Sequence, residues 1–268
     1  MKITVIGGGI AGVAAGYYLA ISGQEVTLLE QERTLAYHAT GRSAALYFEN
    51  YGATPNRPLT RASLPFFESP PPGLADQPLL APRGALWVGR EDQMASLQRA
   101  MASGDRATRW LTPQDARRLV PGLRPDYVAG AVWEPQALDL DVAALHQAFV
   151  RGMRQAGATI LTSTQVTALS HRHGRWMIHA GTVVLTADVV VNAAGAWCDV
   201  VGGMAGAARI GLEPRRRTAF MVPGDSEYAR WPLVADIDNE FYFRPDGIQV
   251  LCSLADETPV EPGDARPD

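Results

Sequence analysis

Residues 2 to 30 constrain the fold more than any other stretch. Lys2-Ile-Thr-Val-Ile6 leads into Gly7-Gly8-Gly9-Ile10-Ala11-Gly12, then an apolar-periodic segment, then Glu25-Val-Thr-Leu-Leu-Glu30. An apolar strand feeding directly into G-x-G-x-x-G and a helix is the context in which that spacing holds a dinucleotide, because each glycine has its own steric task. Gly7 permits the tight turn, Gly9 lets the backbone approach a pyrophosphate, and Gly12 lets the helix pack closely on the strand. The pyrophosphate then rests on the helix N-terminus, where unbonded N–H groups and the positive dipole end favour an anion. Glu30 closes the second strand 18 residues beyond Gly12, near the spacing of about 20 at which an acid hydrogen-bonds a ribose hydroxyl. A carboxylate there repels a 2′-phosphate, which disfavours NADP and leaves FAD or NAD.

Length and composition narrow the class without naming a function. A chain of 268 residues has room for one large domain or two smaller ones, each with a core. With 47% hydrophobic and 19% charged residues and a net charge of −4, it is a globular chain with nothing that points to nucleic acid or an anionic membrane. No apolar run reaches the roughly 18 residues needed to span a bilayer, and the N-terminus enters a strand and a phosphate loop rather than a cleavable leader. Cys198 and Cys252 are too few for a disulfide framework or a metal cluster. A cytoplasmic, metal-free protein is expected.

Along the chain, the strand 2–6, helix 10–22 and strand 25–30 make a β-α-β start, and a polar loop of small residues follows at 37–43. Residues 52–82 are proline-rich, with Pro70–Pro72 reading as a stiff surface segment. A strand over 85–88, helical stretches near 91–102 and 113–119, and a strand over 128–133 come next. Asp141 is placed as the N-cap of a helix running to about Gln155 and ended by Gly157. Strand patterns recur at 159–161, 166–171, 175–179 and 183–186. The run Asp188-Val-Val-Val-Asn192 then delivers Ala193-Ala-Gly195-Ala-Trp197, a buried strand ending in a small-residue turn that lets a backbone approach a cofactor. Residues 212–222 and 241–254 are extended, with a hairpin turn at Pro245-Asp-Gly247.

These features together resemble the FAD-dependent amine and amino-acid oxidoreductases, the superfamily of D-amino-acid oxidase, glycine oxidase and sarcosine oxidase. The resemblance rests on the Gly7–Gly12 unit with its strand-ending Glu30, on His38-Ala-Thr-Gly-Arg-Ser43, and on Asn192–Trp197, and it runs over most of the chain. Within the superfamily, Gly41–Ala45 followed by Tyr51, Pro214–Phe220 and Phe241–Pro245 look most like bacterial D-arginine dehydrogenase.

The resemblance implies an α/β fold: a Rossmann-like FAD-binding domain, residues 1–48 and 140–204, with an inserted α+β substrate domain on a mixed or antiparallel sheet, residues 49–139 and 205–256. A polar tail, 257–268, follows. The superfamily continues with a C-terminal segment against the flavin, and the sequence stops short of it. The expectation is therefore a truncated chain, or one completed by a partner chain.

The cofactor implied is FAD, held by Gly7, Gly9, Ile10, Ala11, Gly12, Glu30 and Gln31, with Val166 at the adenine and Ala194, Gly195 and Trp197 beside the flavin. Arg42, Ser43 and Ala44 are placed at the start of a second helix, where N–H groups and a guanidinium hold phosphate or flavin oxygens; a plain cap with a surface arginine is the competing reading. His38 is read as a solvent-facing or hydrogen-bonding loop residue in preference to a covalent flavin link.

An amino-acid carboxylate needs a planar cation. Arg215, Arg216 and Arg217 alternate faces if extended, and Arg216 is the choice. Tyr51 and Tyr242 are the other substrate-side candidates, and Trp87 is a pocket wall or a core residue. The implied reaction oxidises the C–N bond of a D-amino acid or amine by hydride transfer to flavin, with oxygen or a quinone as acceptor. The rival readings are a non-catalytic flavin-binding remnant, one subunit of a hetero-oligomeric amine dehydrogenase, and an NAD-dependent dehydrogenase.

Overall fold

The computed structural model describes residues 1–49, 54–104 and 107–265. The chain opens with β1 (Lys2–Ile6), α1 (Ile10–Ile21) and β2 (Glu25–Leu29), followed by β3 (Leu46–Tyr47), α2 (Arg57–Glu68), β4 (Leu80–Pro82) and β5 (Ala85–Gly89). Its middle holds α3 (Met94–Ser103), β6 (Arg109–Leu111), α4 (Pro113–Leu119), β7 (Gly130–Glu134), β8 (Leu138–Leu140), α5 (Val142–Gln155) and β9 (Thr159–Leu161). A meander of β10 (Val166–Arg172), β11 (Arg175–Ala180) and β12 (Val183–Ala187) leads to β13 (Val189–Asn192) and α6 (Cys198–Met204). The last strands are β14 (Arg215–Arg216), β15 (Ala219–Pro223), β16 (Leu233–Asp236), β17 (Tyr242–Asp246), β18 (Gln249–Ser253) and β19 (Thr258–Pro259).

Two sheets organise the molecule. The first is parallel, in the order β13-β1-β2-β9, and the second is mixed, in the order β15-β18-β17-β16-β5-β7-β6, with β16 and β5 its parallel pair. This is the α/β architecture expected from the sequence, with a Rossmann-type sheet beside a mixed, mainly antiparallel one. A small sheet, β3-β8-β4, joins segments from both halves of the chain. Among the described residues no helix is long and apolar enough to cross a membrane.

One face of the parallel sheet is covered by α1 and α5, which meet through glycines. A Cβ on Gly16 would lie 2.5 Å from the Met153 side chain, and one on Gly152 would lie 2.5 Å from the Tyr17 ring. The close approach buries Val13, Tyr17, Phe149 and Met153 with Val5, Val26 and Leu28 of the sheet. As expected, Asp141 caps α5, its Oδ1 accepting the Ala144 N–H at 2.7 Å. The opposite face is closed by the meander and α6 around Leu29, Val166, Ile178 and Val201.

The proline-rich stretch holds a helix that its composition hid, while Pro71 and Pro72 are exposed and outside any regular element, in keeping with a surface segment. Residues 57–68 form α2, which has a proline in its first turn, where no N–H is needed. Its Phe66 and Phe67 pack on the core under α5, Phe66 stacking 5.8 Å from Phe149, and Leu74 and Leu79 are buried in the same cluster. The helix turns these two half-buried rings to the core and leaves its other face to solvent.

Candidate cofactor and substrate site

The end of β1 is pinched by its neighbours. Gly7 has φ +109°, and a Cβ there would lie 2.3 Å from the Ala193 carbonyl oxygen, while one on Gly12 would lie 1.8 Å from the Gly7 oxygen. No side chain fits at either position, so β1, α1 and the end of β13 converge only because both are glycine. Gly9 is the N-cap of α1 and is extended, and its missing Cβ would meet Thr40 Oγ1 at 3.1 Å. Gly9, Ile10, Ala11 and Gly12 thus line a glycine-floored helix start whose first-turn N–H groups lack intrahelical partners. This cradle fits a dinucleotide diphosphate.

Glu30 is buried at the end of β2, 8% exposed. Its Oε2 accepts the Gly8 N–H at 2.7 Å and its Oε1 the Glu32 N–H at 2.9 Å. The carboxylate therefore fixes the glycine loop to the second strand and retains lone pairs for a hydroxyl ligand. Gln31 follows it, half-buried, and Val166 is buried at the start of β10.

The second helix expected to begin at Arg42 and Ser43 is absent from that position. Ala39–Arg42 is a single 3-10 turn with Arg42 at its C-terminal end, and Ser43 is extended at φ −87°, ψ 135°. The dipole argument for these two residues is lost with the helix. Thr40 uses the turn differently: its Oγ1 accepts the Ile10 N–H at 3.1 Å, so the loop caps α1. Arg42 donates to Asp264 Oδ1 at 3.1 Å and to the Ala265 carbonyl at 3.0 Å, with its guanidinium 5.1 Å above the Tyr37 ring. The Arg42 contact holds the Asp264 carboxyl below its ordinary range.

His38 has a hydrogen-bonded place, its Nε2 2.9 Å from Glu32 Oε1 and its ring 4.8 Å from that of Trp197. The turn carrying Trp197 is built by Asn192, whose Oδ1 accepts the Ala194 N–H at 3.3 Å and whose Nδ2 donates to the Cys198 carbonyl at 2.8 Å. Gly195, at φ +55°, has open space around it. Burial pushes the nearby Cys198 thiol up.

On the mixed sheet, pairing puts Trp87, Ala235, Tyr242 and Ser253 in one row and so on one face. Trp87 Nε1 donates to the buried Glu134 at 3.1 Å, and its ring meets Phe48 edge-on at 6.0 Å. Tyr242 packs with Leu46 and Phe48 around Ala85 and Leu233. The chain just beyond the 3-10 turn therefore lies against this face. Arg244, two residues from Tyr242, donates to the Ala45 carbonyl at 3.2 Å and lies 3.3 Å from Asp139, which also pairs with Arg83 at 2.6 Å.

Arg216 lies on the short β14–β19 ladder, which runs directly into β15 of the sheet that carries Tyr242. Arg215 and Arg217 share Glu257, at 3.2 and 2.6 Å, while Arg216 is half-buried on the alternate face with its charge acting on Asp256. Tyr51 lies outside the described residues.

A cleft of about 940 Å³ opens beside the 3-10 turn, with Ser43, Ala44, Thr40, His146, Asp139 and Arg244 among its walls. It gathers two of the expected cofactor residues with three that the sequence reading passed over: Thr40, His146 and Arg244. All three act through contacts distant in sequence, and only the polar loop around Thr40 gave a local sign.

The family described as FAD dependent oxidoreductase matches residues 2–268. Human mitochondrial dimethylglycine dehydrogenase is 24% identical over 260 residues, covering 91% of this chain and 29% of that protein. Glycine oxidase of Geobacillus kaustophilus is 24% identical over 245 residues, covering 86% of this chain and 62% of the enzyme. The chain thus spans under a third of the first and less than two thirds of the second. In fold it matches crystal structures of G. kaustophilus glycine oxidase, with a TM-score of 0.83 at 22% identity over 100% of this chain and 74% of that one, and of P. horikoshii L-proline dehydrogenase, with a TM-score of 0.82 at 22% identity over 96% and 70%.

Proposed function

The chain belongs to the FAD dependent oxidoreductase family, and from that premise we propose that it binds FAD and oxidises the C–N bond of an amino acid or secondary amine, with a D-amino acid as the substrate class. The observation that carries the cofactor reading is the cradle in which Gly7 and Gly12 admit no Cβ and Glu30 ties the loop to β2. Gly7, Gly9, Ile10, Ala11 and Gly12 hold the diphosphate, Glu30 and Gln31 the ribose, and Val166 the adenine. Ser43, Ala44, Ala194, Gly195 and Trp197 border the flavin. Arg42 joins them once its hold on Asp264 is exchanged for cofactor oxygens.

FAD, when bound, supplies a hydride acceptor beside the substrate carbon. With the C–H pair passed to it as hydride and a nitrogen proton lost to solvent, the amine would become an imine, which water would split to a 2-oxo acid and ammonia. The protein's task is to orient that C–H bond and exclude competing geometries. Tyr242 and Trp87 wall the substrate side, Arg216 and Tyr51 are the proposed carboxylate contacts, and Arg244 braces the loop at Ala45. A quinone or oxygen takes the electrons onward. The names of the relatives, among them dimethylglycine dehydrogenase and glycine oxidase, support an amino acid or N-methylated amine as substrate.

Titration of the purified chain with FAD and with NADP tests the cofactor, and preference for NADP overturns the reading. A panel of D-amino, L-amino and N-methyl amino acids with a dye acceptor tests the substrate class, and turnover confined to L-amino acids removes the D-specific part.

A further inference from the structure

His146 lies one turn into α5, 6% exposed, on the face that carries Phe149 and Met153 into the core. Its Nε2 lies 2.9 Å from the carbonyl oxygen of Gly8. A carbonyl only accepts, so this nitrogen carries the proton and donates. The same oxygen accepts the Ala36 N–H at 3.1 Å, and the Gly8 N–H is taken by Glu30 at 2.7 Å.

Gly8 has no side chain with which to set its own orientation. The peptide joining it to Gly9 is held by its polar atoms, and in a trans peptide the C=O and N–H point opposite ways. Drawing the Gly8 oxygen toward α5 therefore turns the Gly9 N–H away from α5, at the start of α1 where an anion is favoured. The donor is itself braced, because α5 is docked on α1 through the contacts of Met153 with Gly16 and Tyr17 with Gly152.

We propose that His146 is a positioning residue for the cofactor diphosphate, acting through the Gly8 carbonyl to aim the Gly9 N–H. The inference rests on the FAD reading above. The bland alternative is a core histidine that merely satisfies its own hydrogen bond, and the two differ in which part of the ligand notices its loss.

Calorimetric titration of the whole chain with FAD, ADP and adenosine separates them, comparing the wild type with His146→Leu, which cannot donate, and His146→Gln, whose amide can. The expected result for H146L is a loss of about tenfold in affinity for FAD and ADP, the size of one hydrogen bond, with adenosine within about twofold and H146Q close to the wild type. Unchanged ADP binding in H146L, or equal losses for ADP and adenosine, overturns the proposal. Should H146L fail to fold, nitrogen NMR of the wild type decides: His146 is expected as the Nε2–H tautomer with a resonance that moves on adding ADP and stays still on adding adenosine, and indifference to ADP overturns it. A wild-type chain that binds none of the three ligands removes the FAD reading and this inference together, whereas normal wild-type binding with an unaffected H146L removes this inference alone.

Discussion

The Asp264 carboxylate accepts from the Arg42 guanidinium, Nη2 to Oδ1 at 3.1 Å, across 222 residues of sequence. Its other oxygen accepts from Tyr37 at 3.2 Å, so the polar tail is anchored on the loop expected to face the flavin. Both partners of the ion pair are exposed, at 43% and 41%, so salt weakens the contact.

The Arg42 contact lowers the Asp264 pKa, and the sign follows. A carboxyl depressed in the fold stabilises it above the unfolded value and loses that contribution as pH falls through the folded one. The anchor is therefore intact at neutral pH and released below the ordinary carboxyl value of 3.8. Carbon NMR of the labelled carboxyls is expected to show Asp264 titrating below the ordinary aspartate value, and Asp264→Asn is expected to speed proteolysis after Arg42 and within residues 257–265. An Asp264 that titrates normally, with proteolysis unchanged, would contradict this.

Glu30→Ala removes two backbone hydrogen bonds to a buried charge. Each such bond contributes about 1.5–3 kcal/mol, so the loss of one bond's worth predicts FAD affinity roughly ten- to 150-fold weaker, read by fluorescence quenching.

Gly12→Ala and Gly195→Ala separate close approach from backbone strain. An added methyl at Gly12 meets the Gly7 oxygen at 1.8 Å, so the strand and helix must part, and little soluble protein is expected. At Gly195 there is open space, and only the φ of +55° resists, for about 1–2 kcal/mol. Thermal melts of the two variants should differ sharply; similar melts would refute the steric account.

Arg244→Met keeps the apolar stem and removes the contacts to Ala45 and Asp139, with the side chains of Arg244 and Asp139 14% and 17% exposed. A loss of roughly 1.5–3 kcal/mol is expected from a charged hydrogen bond. If Arg244 braces the flavin loop, kcat should fall more than FAD affinity, which stopped-flow reduction would read.

What was legible in the sequence was local. The Gly7–Gly12 spacing, the Asp141 cap and the turn at Gly247 each sit within a few residues of what they determine, and Glu30 was legible because a β-α-β unit places an acid at a set distance from the glycines. The roles of Thr40 and His146 were hidden because their partners, Ile10 and Gly8, lie 30 and 138 residues away. The contact of Arg42 with Asp264 was hidden for the same reason, since its proximity to a glycine says nothing of a partner 222 residues away. In α2, prolines masked an amphipathic helix that only the core around Phe149 explains.

The interleaving of the two sheets has a kinetic consequence. The mixed sheet is joined at its centre by β5 and β16, and the parallel sheet places β1 between β2 and β13. Neither sheet closes until chain from far downstream arrives, and the loop-closure entropy of such distant pairs is lost before their contacts form. A ribosome emitting this chain exposes β1, β2 and β5 well before β13 and β16 exist. Refolding is expected to be slow and to involve both sheets at once, so a nascent chain arrested near residue 180 should be protease-sensitive in its N-terminal half as well as at its growing end.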